Sequence, residues 1–353
     1  MTPVPDDNDI ALKAWMTPRA APSKRRCLLL ANPQAGALSS MEFFTRLETR
    51  ARASLNMDRP TGAPPDLPLM LSTLATEAAE AGIEANVEAI PAPDKLPELM
   101  RAAEQEGYDT VIAAGGDGTV RMVAQSLIGS RLSLGILPVG TANNTARALG
   151  IPFEISGALR VVADGEERQI DVGKIGEEYF LEAAGVGLFA DALAGFGAGE
   201  PHRHDVFRLL KVCAPLCWNP RARSLQLTLD GVPERDEVLL VSIANSAYLG
   251  EGWKMAPEAR LTDGKFDVVI AGAMSRWELI RFMLAASEGK HLLLPKVRRV
   301  HASSVEIRRL HRGHEPLPVH ADDHIAATTP VRLDVVPGAL RVIVPARNVN
   351  QAR

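Results

Sequence analysis

The residues best suited to chemistry lie in three short loops within the first 144 positions of a 353-residue chain. Gly115-Gly116-Asp117-Gly118-Thr119 follows the apolar run "TVIAA" and precedes the helical pattern "VRMVAQSL". Glycines between a strand and a helix present backbone N–H groups to a phosphate with no Cβ in the way, at the positive end of the helix. Asp117 needs a separate reason. A carboxylate among anion-binding amides repels phosphate unless it holds a cation or takes a proton from a nucleophile. The simpler reading is an Asp-Gly turn, with Thr119 capping the next helix. That reading weakens when "NPQAG" at 32–36 and "LPVGTANN" at 137–144 are added, because both also end apolar runs in small and short polar residues. Three such loops on one rim suit a bound phosphate group.

These loops require a scaffold, and the surrounding pattern supplies one. Cys27 to Ala31 reads as a buried strand, Ser40 to Leu55 as a helix, and "LMLSTLATEAAEAGIEANVEAI" as helix then strand. "KLPELMRAAEQEGYDTVIAA" repeats that order, and "LSLGILPVG" and "TANNTARALG" repeat strand then helix. Such alternation predicts an open parallel sheet with helices on both faces, whose ligands sit at the C-terminal strand ends. From about residue 157, period-two runs such as "RQIDVGKI", "SLQLTLDG", "GKFDVVIAG", "PVRLDVVP" and "ALRVIVP" take over. They predict an antiparallel β domain, with helical patches at 203–218 and 276–288. The expected division is an extension at 1–24, an α/β domain at 25–156, a β domain at 157–330, and C-terminal strands at 331–353 returning to the first domain. The cleft between the two domains is the expected site.

Composition narrows the partners. With 46% hydrophobic and 23% charged residues the chain is ordinary globular material for two domains, and a net charge of −4 gives no pull toward nucleic acid. Three cysteines cannot pair completely, and no signal-like segment opens the chain, so a reducing cytoplasm is expected. Cys213 and Cys217 have metal-pair spacing without a second pair, and read as buried thiols. No window approaches the ~20 apolar residues of a membrane span. The G-x-x-x-x-G-K-[ST] phosphate loop is absent. "GVGLFA" at 185–190 lies in a β context with no helical pattern, so it does not read as a dinucleotide fingerprint.

Six segments together carry a family resemblance: "NPQAG", "AAGGDGTVRMVA", "LGILPVGTANNTARALGIP", "QIDVGKI", "SIANSAYLGEGWKMAPEARLTDGKFDVVI" and "PVRLDVVPGALRVIVP". In this order the chain resembles the diacylglycerol kinase catalytic-domain family, which includes bacterial lipid kinases and sphingosine and ceramide kinases, over about residues 25–347. The resemblance implies an NAD-kinase-like and diacylglycerol-kinase-like α/β domain that binds nucleotide, then an antiparallel β-sandwich lipid domain. It also implies ATP and Mg2+ in the cleft and transfer of the γ-phosphate to a lipid hydroxyl. By that similarity Asn32, Pro33, Gly115, Gly116, Asp117, Gly118, Thr119, Gly140, Thr141, Asn143 and Asn144 surround the nucleotide, with Asp117 beside Mg2+. Asp322, Asp323 and His324 stand where many relatives carry Asp-Gly-Glu, which makes Asp322 the candidate base and His324 its helper. Asn144 stands where relatives often carry Asp. Asp263 resembles a structural metal position of the lipid domain, although its residues alone suit an Asp-Gly hairpin turn equally well. Asp171 matches a position expected to tie the second domain to the cleft, or to end a strand.

A membrane contact is expected from "HRHDVFRLLKVCAPLCWNPRAR", residues 202–223. Val206, Leu209, Leu210 and Cys213 share one helical face that Pro215 ends, while Arg203, Arg208 and Lys211 lie elsewhere and Phe207 and Trp218 supply aromatic anchors. The plain alternative is a helix packed on the β domain. The combined expectation is a cytoplasmic, ATP-dependent lipid kinase associated peripherally with the inner membrane face. Its partner is a membrane lipid, with no nucleic acid, and a homodimer is left open. Two alternatives stand beside it: a kinase of a soluble acceptor, since NAD kinases share "GGDG", and a catalytically weak lipid-binding relative, suggested by Asn144 and His324.

Overall fold

The computed structural model describes residues 25–35, 67–196, 214–250, 252–310 and 315–346. The expected extension at 1–24 and the helix from Ser40 to Leu55 lie outside the described residues, as do residues 202–213 of the expected membrane segment.

The chain opens with β1 (Arg26–Ala31), α1 (Leu67–Glu80), β2 (Glu84–Ala89), α2 (Leu96–Gln105), β3 (Thr110–Gly115), α3 (Asp117–Leu127) and β4 (Ser133–Pro138). The four strands pair in parallel in the order β4-β3-β1-β2. β3 and β4 are buried along their whole length, whereas the edge strand β2 alternates exposed and half-buried positions. This is why their sequences read as continuous apolar runs and as an alternating pattern respectively. Two short helices follow, α4 (Asn144–Ala148) and α5 (Ile155–Asp164). The expected domain boundary at 156/157 falls inside α5, because Ala158, Leu159 and Val162 recur at helical spacing and are buried in the core of the parallel half.

The remaining strands are β5 (Glu166–Ile175), β6 (Glu178–Phe180), β7 (Ala183–Gly187), β8 (Arg223–Leu229), β9 (Val232–Ala244), β10 (Phe266–Gly272), β11 (Val297–Ala302), β12 (Ser304–Arg309), β13 (Pro318–Ala321), β14 (His324–Thr328) and β15 (Val331–Val344). They pair antiparallel around a second apolar core in which the Phe180 and Phe266 rings stack at 5.6 Å. β15 joins the halves: Ser304–Ile307 of β12 pairs with its first residues, and Val342 pairs in parallel with Leu134 of β4. The two expected strands "PVRLDVVP" and "ALRVIVP" are this single strand. Pro337, which cannot donate to a ladder, is accommodated where the register shifts between Val336 and Leu340.

A third cluster holds α6 (Leu188–Phe196) and α7 (Arg276–Ser287) against the outer face of β9 and β10. α6 corrects the reading of "GVGLFA" as purely β: the strand ends at Gly187, whose φ is 93°, and a helix starts at Leu188. Residues 214–218 are helical, so Pro215 does not end helical structure as expected. Among the described residues no helix is long and apolar enough to cross a membrane.

Candidate active site

The parallel half builds one side of the site by strand register. Ala31 lies opposite Ala114, Gly115 opposite Pro138, Asn32 N–H donates to the Ala114 carbonyl at 2.9 Å, and Val139 N–H to that of Gly115 at 3.2 Å. β1, β3 and β4 therefore end level, and their three loops share one rim. A Cβ on Gly115 would fall 2.3 Å from the Thr119 Cβ, and one on Gly140 would fall 2.2 Å from the Gly116 Cα. The two loops thus touch backbone to backbone, leaving no room for side chains at those positions.

Short polar side chains fix the rim. Asn32 Nδ2 donates to Thr119 Oγ1 at 2.8 Å, and Asn143, in the left-handed region at φ 52°, accepts from Gly140 N–H at 2.9 Å and donates to the Gly140 carbonyl at 2.8 Å. Thr119 is the third residue of α3 and does not cap it: Gly116 stands at the N-cap, with no side-chain cap hydrogen bond. Asp117 is the half-buried first residue of that helix rather than part of an exposed loop, and its Oδ1 accepts from Thr145 N–H at 3.1 Å. Pro33 and Thr141 are exposed on the same rim.

The antiparallel half supplies carboxylates to the other side. The pairing of Ala321 with Ala184 sets the β13–β14 turn beside residues 181–183. Asp322 enters that turn at φ 50°, and its two carboxylate oxygens accept from the N–H groups of Leu181 (3.0 Å), Glu182 (2.8 Å) and Ala183 (3.2 Å). Burial pushes its carboxyl up to about 6 despite those donors. Asp323 faces the other way. Its Oδ2 lies 3.1 Å from where a Gly118 Cβ would be, its Oδ1 is 3.4 Å from Arg121 Nη2 and 3.6 Å from His324 Nδ1. His324 Nε2 reaches Glu178 Oε2 at 2.7 Å, and these carboxylates, Asp323 first, raise the affinity of the ring for its proton.

Glu182 is a site residue that the sequence did not reveal. It is 5% exposed, and its carboxyl is pushed well above the ordinary range, first by burial and then by the charges of Asp117 and Asp322. Asn144 Nδ2 donates to Glu182 Oε2 at 2.8 Å and to the Gly250 carbonyl at 2.5 Å, while Asn144 Oδ1 is buried with no hydrogen-bond partner among the described residues. The only signal in the sequence is a Glu interrupting the apolar run "YFLEAAGVG".

The remaining expected residues lie away from this cluster. Asp171 accepts from Gly264 N–H at 2.7 Å and Gly338 N–H at 2.9 Å, stapling the 261–264 turn to the irregular stretch of β15. Asp263 is exposed in that turn and accepts from Lys265 N–H at 3.2 Å, as a turn aspartate does. No group of three or more His, Cys, Asp or Glu able to hold a metal occurs among the described residues, at Asp263 or elsewhere. Cys217 is a free thiol 3.9 Å from the Met283 sulfur, and Cys213 lies outside the described residues.

The donor set around Asp117 still fits a shared Mg2+. It offers only hard oxygens, its carboxylates repel one another, and Asn144 Oδ1 has no hydrogen-bond partner among the described residues. Mg2+ takes one or two carboxylates plus waters and substrate phosphates, and needs no protein cage.

Comparisons with known proteins identify the family and the fold. Residues 60–175 match the family "Diacylglycerol kinase catalytic domain" and residues 207–344 the "YegS C-terminal NAD kinase beta sandwich-like domain". The chain is 32% identical over 259 residues to a diacylglycerol kinase of Mycobacterium tuberculosis, spanning 70% of this chain and 80% of that one. A diacylglycerol kinase of Staphylococcus aureus is 31% identical over 233 residues, spanning 62% of this chain and 71% of its own length. A crystal structure of a diacylglycerol kinase from Bacillus anthracis shares the fold with a TM-score of 0.62 at 20% identity, covering 91% of this chain and 97% of the other. By motif order, fold and relatedness, this chain belongs to the diacylglycerol kinase family, a family of lipid kinases.

Proposed function

We propose that this enzyme transfers the γ-phosphate of ATP to a hydroxyl of a membrane lipid, diacylglycerol or a sphingoid- or ceramide-type lipid, at the inner membrane surface. The observation that carries this reading is the meeting of Asp117, on a rim of glycine loops, with carboxylates delivered from the antiparallel half. The loops at 115–119 and 140–144 offer backbone N–H groups and the N-terminus of α3 to phosphate. Asn32 and Thr119 hold the loop in shape, and Asn143 holds the second. Asp117 and the neighbouring oxygen of Asn144 are the groups that would hold Mg2+, which when bound neutralises charge on the transferring phosphate.

Of the two neighbouring aspartates, Asp322 positions: both its oxygens are committed to backbone N–H groups. Asp323 is the group presented over the first turn of α3, and we assign it the acceptor's proton. The lipid oxygen forms its bond to the γ-phosphorus, the bond from that phosphorus to the bridging oxygen of ADP breaks, and the hydroxyl proton passes to Asp323. Arg121 and His324 orient that carboxylate from either side. Incubation with γ-labelled ATP and diacylglycerol, ceramide, sphingosine, phosphatidylglycerol or NAD tests the proposal. Label in the organic phase with one of these lipids supports it; label only in NAD, or in no acceptor, refutes it.

A further inference from the structure

A kinase of this kind must reach a hydroxyl at a bilayer surface, and the outer face of α7 has the chemistry to bring it there. Among the described residues nine large hydrophobic side chains are exposed, and five of them, Trp218, Trp277, Ile280, Leu284 and Leu293, lie at or next to α7. Trp277, Ile280 and Leu284 stand at i, i+3 and i+7, forming one stripe opposite the buried Leu279, Phe282 and Ala286. Trp277 and Leu284 are each 66% exposed and Trp218 is 74% exposed. The helix is also firmly built, since Ser275 and Glu278 form a capping box at its start. A stable helix with an inward apolar face does not need a second apolar face for its own folding.

Charge identifies what covers the stripe. Arg276 lies 4.9 Å over the Trp218 ring and 5.4 Å from that of Trp277, and Arg281 is exposed between Ile280 and Leu284. Among the described residues neither arginine pairs with a carboxylate, whereas the local acids are taken up: Glu278 by Lys296 at 2.9 Å and Glu288 by Lys290 at 2.7 Å. Within a chain of net charge −4, this corner combines unpaired cations, tryptophans and aliphatic side chains, the composition that enters an anionic headgroup layer. The cluster beneath α7 includes Leu249 and Met255, whose loop also carries the Gly250 carbonyl bonded to Asn144. A surface docked through α7 is thus tied to the site through one packed loop.

Resting on the lipid-kinase reading, we infer that Trp218 and the Trp277–Ile280–Leu284 stripe of α7 dock the enzyme on an anionic lipid bilayer. The full chain should sediment with phosphatidylcholine vesicles containing about a third phosphatidylglycerol and far less with phosphatidylcholine alone. Trp277→Ser with Leu284→Ser should weaken that binding about tenfold or more. Arg276→Glu with Arg281→Glu should weaken it too, with a deficit that vanishes near ~0.5 M salt. Both variants should keep the thermal midpoint and the turnover of a water-soluble short-chain diacylglycerol. Brominated acyl chains should quench the tryptophan fluorescence of the parent, a readout independent of any variant. Unchanged vesicle binding in both folded variants, or no quenching of the parent, overturns the inference, as does a parent dimer that the serine variant dissociates without loss of vesicle binding. A parent that binds these vesicles but phosphorylates neither the short-chain diacylglycerol nor any other lipid acceptor instead overturns the kinase reading alone.

Discussion

The two sides of the site are made by different means. On the parallel side, function rests on backbone: glycines so close that a Cβ at 140 would meet the Gly116 Cα at 2.2 Å, held by short side chains that bond to neighbouring loops. On the antiparallel side, function rests on carboxylates, and the fold decides which way each one turns. The parallel rim tolerates little change in shape, and the antiparallel side tolerates little change in charge.

The largest expected effect on the charged side is at Asp323. Asp323→Asn should lower kcat by roughly 10²- to 10⁴-fold, the range for removing a general base, with KM for ATP and the thermal midpoint nearly unchanged. Steady-state kinetics on a short-chain acceptor checks it, and a KM effect alone would move Asp323 out of the proton's path. Asp322→Ala should act on the fold: three N–H groups of residues 181–183 lose their acceptor, and urea unfolding should show a loss of roughly 3 kcal/mol. On the shaped side, Gly140→Ala forces two backbones apart and should cost about 1–3 kcal/mol while weakening nucleotide binding measured by calorimetry.

The smallest effect is pH-dependent. Asp323 and Glu178 hold the His324 ring above its ordinary value, so the charged ring stabilises the fold fully below the unfolded value near about 6.5, and that contribution is lost as pH rises through the folded value. The ring is half-exposed, so Glu178→Gln should cost under ~1 kcal/mol, on the acid side only, and NMR titration should show the His324 value falling. A deficit that persists unchanged at alkaline pH would contradict the assignment.

The same contrast explains what was legible in the sequence. The rim could be read because each loop is contiguous: Gly115 to Thr119 sits between an apolar run and a helical pattern, and Asn143 and Asn144 adjoin Gly140. Glu182 could not be read, because it joins the site only when Asn144 and the β7–β13 pairing bring distant segments together. Asp322 and Asp323 are adjacent, and which one faces α3 depends on the left-handed turn at Asp322, a feature with no local signal beyond Asp itself. α5 was missed because its three buried residues sit next to the alternating "RQIDVGKI" and its Gly157 lowers helical propensity. The apolar stripe of α7 was visible as a helical patch, but which positions face out is decided by the cluster beneath it.

The central claim, that Asp117 at the start of α3 organises charge for phosphoryl transfer rather than holding the fold, is tested most directly by Asp117→Asn. The amide keeps an oxygen for Thr145 N–H, so circular dichroism should show a thermal midpoint within a few degrees of the parent. Transfer of label from γ-labelled ATP to a short-chain diacylglycerol should fall by roughly 10²- to 10³-fold or more. A folded Asp117→Asn enzyme that transfers phosphate as fast as the parent would contradict the account.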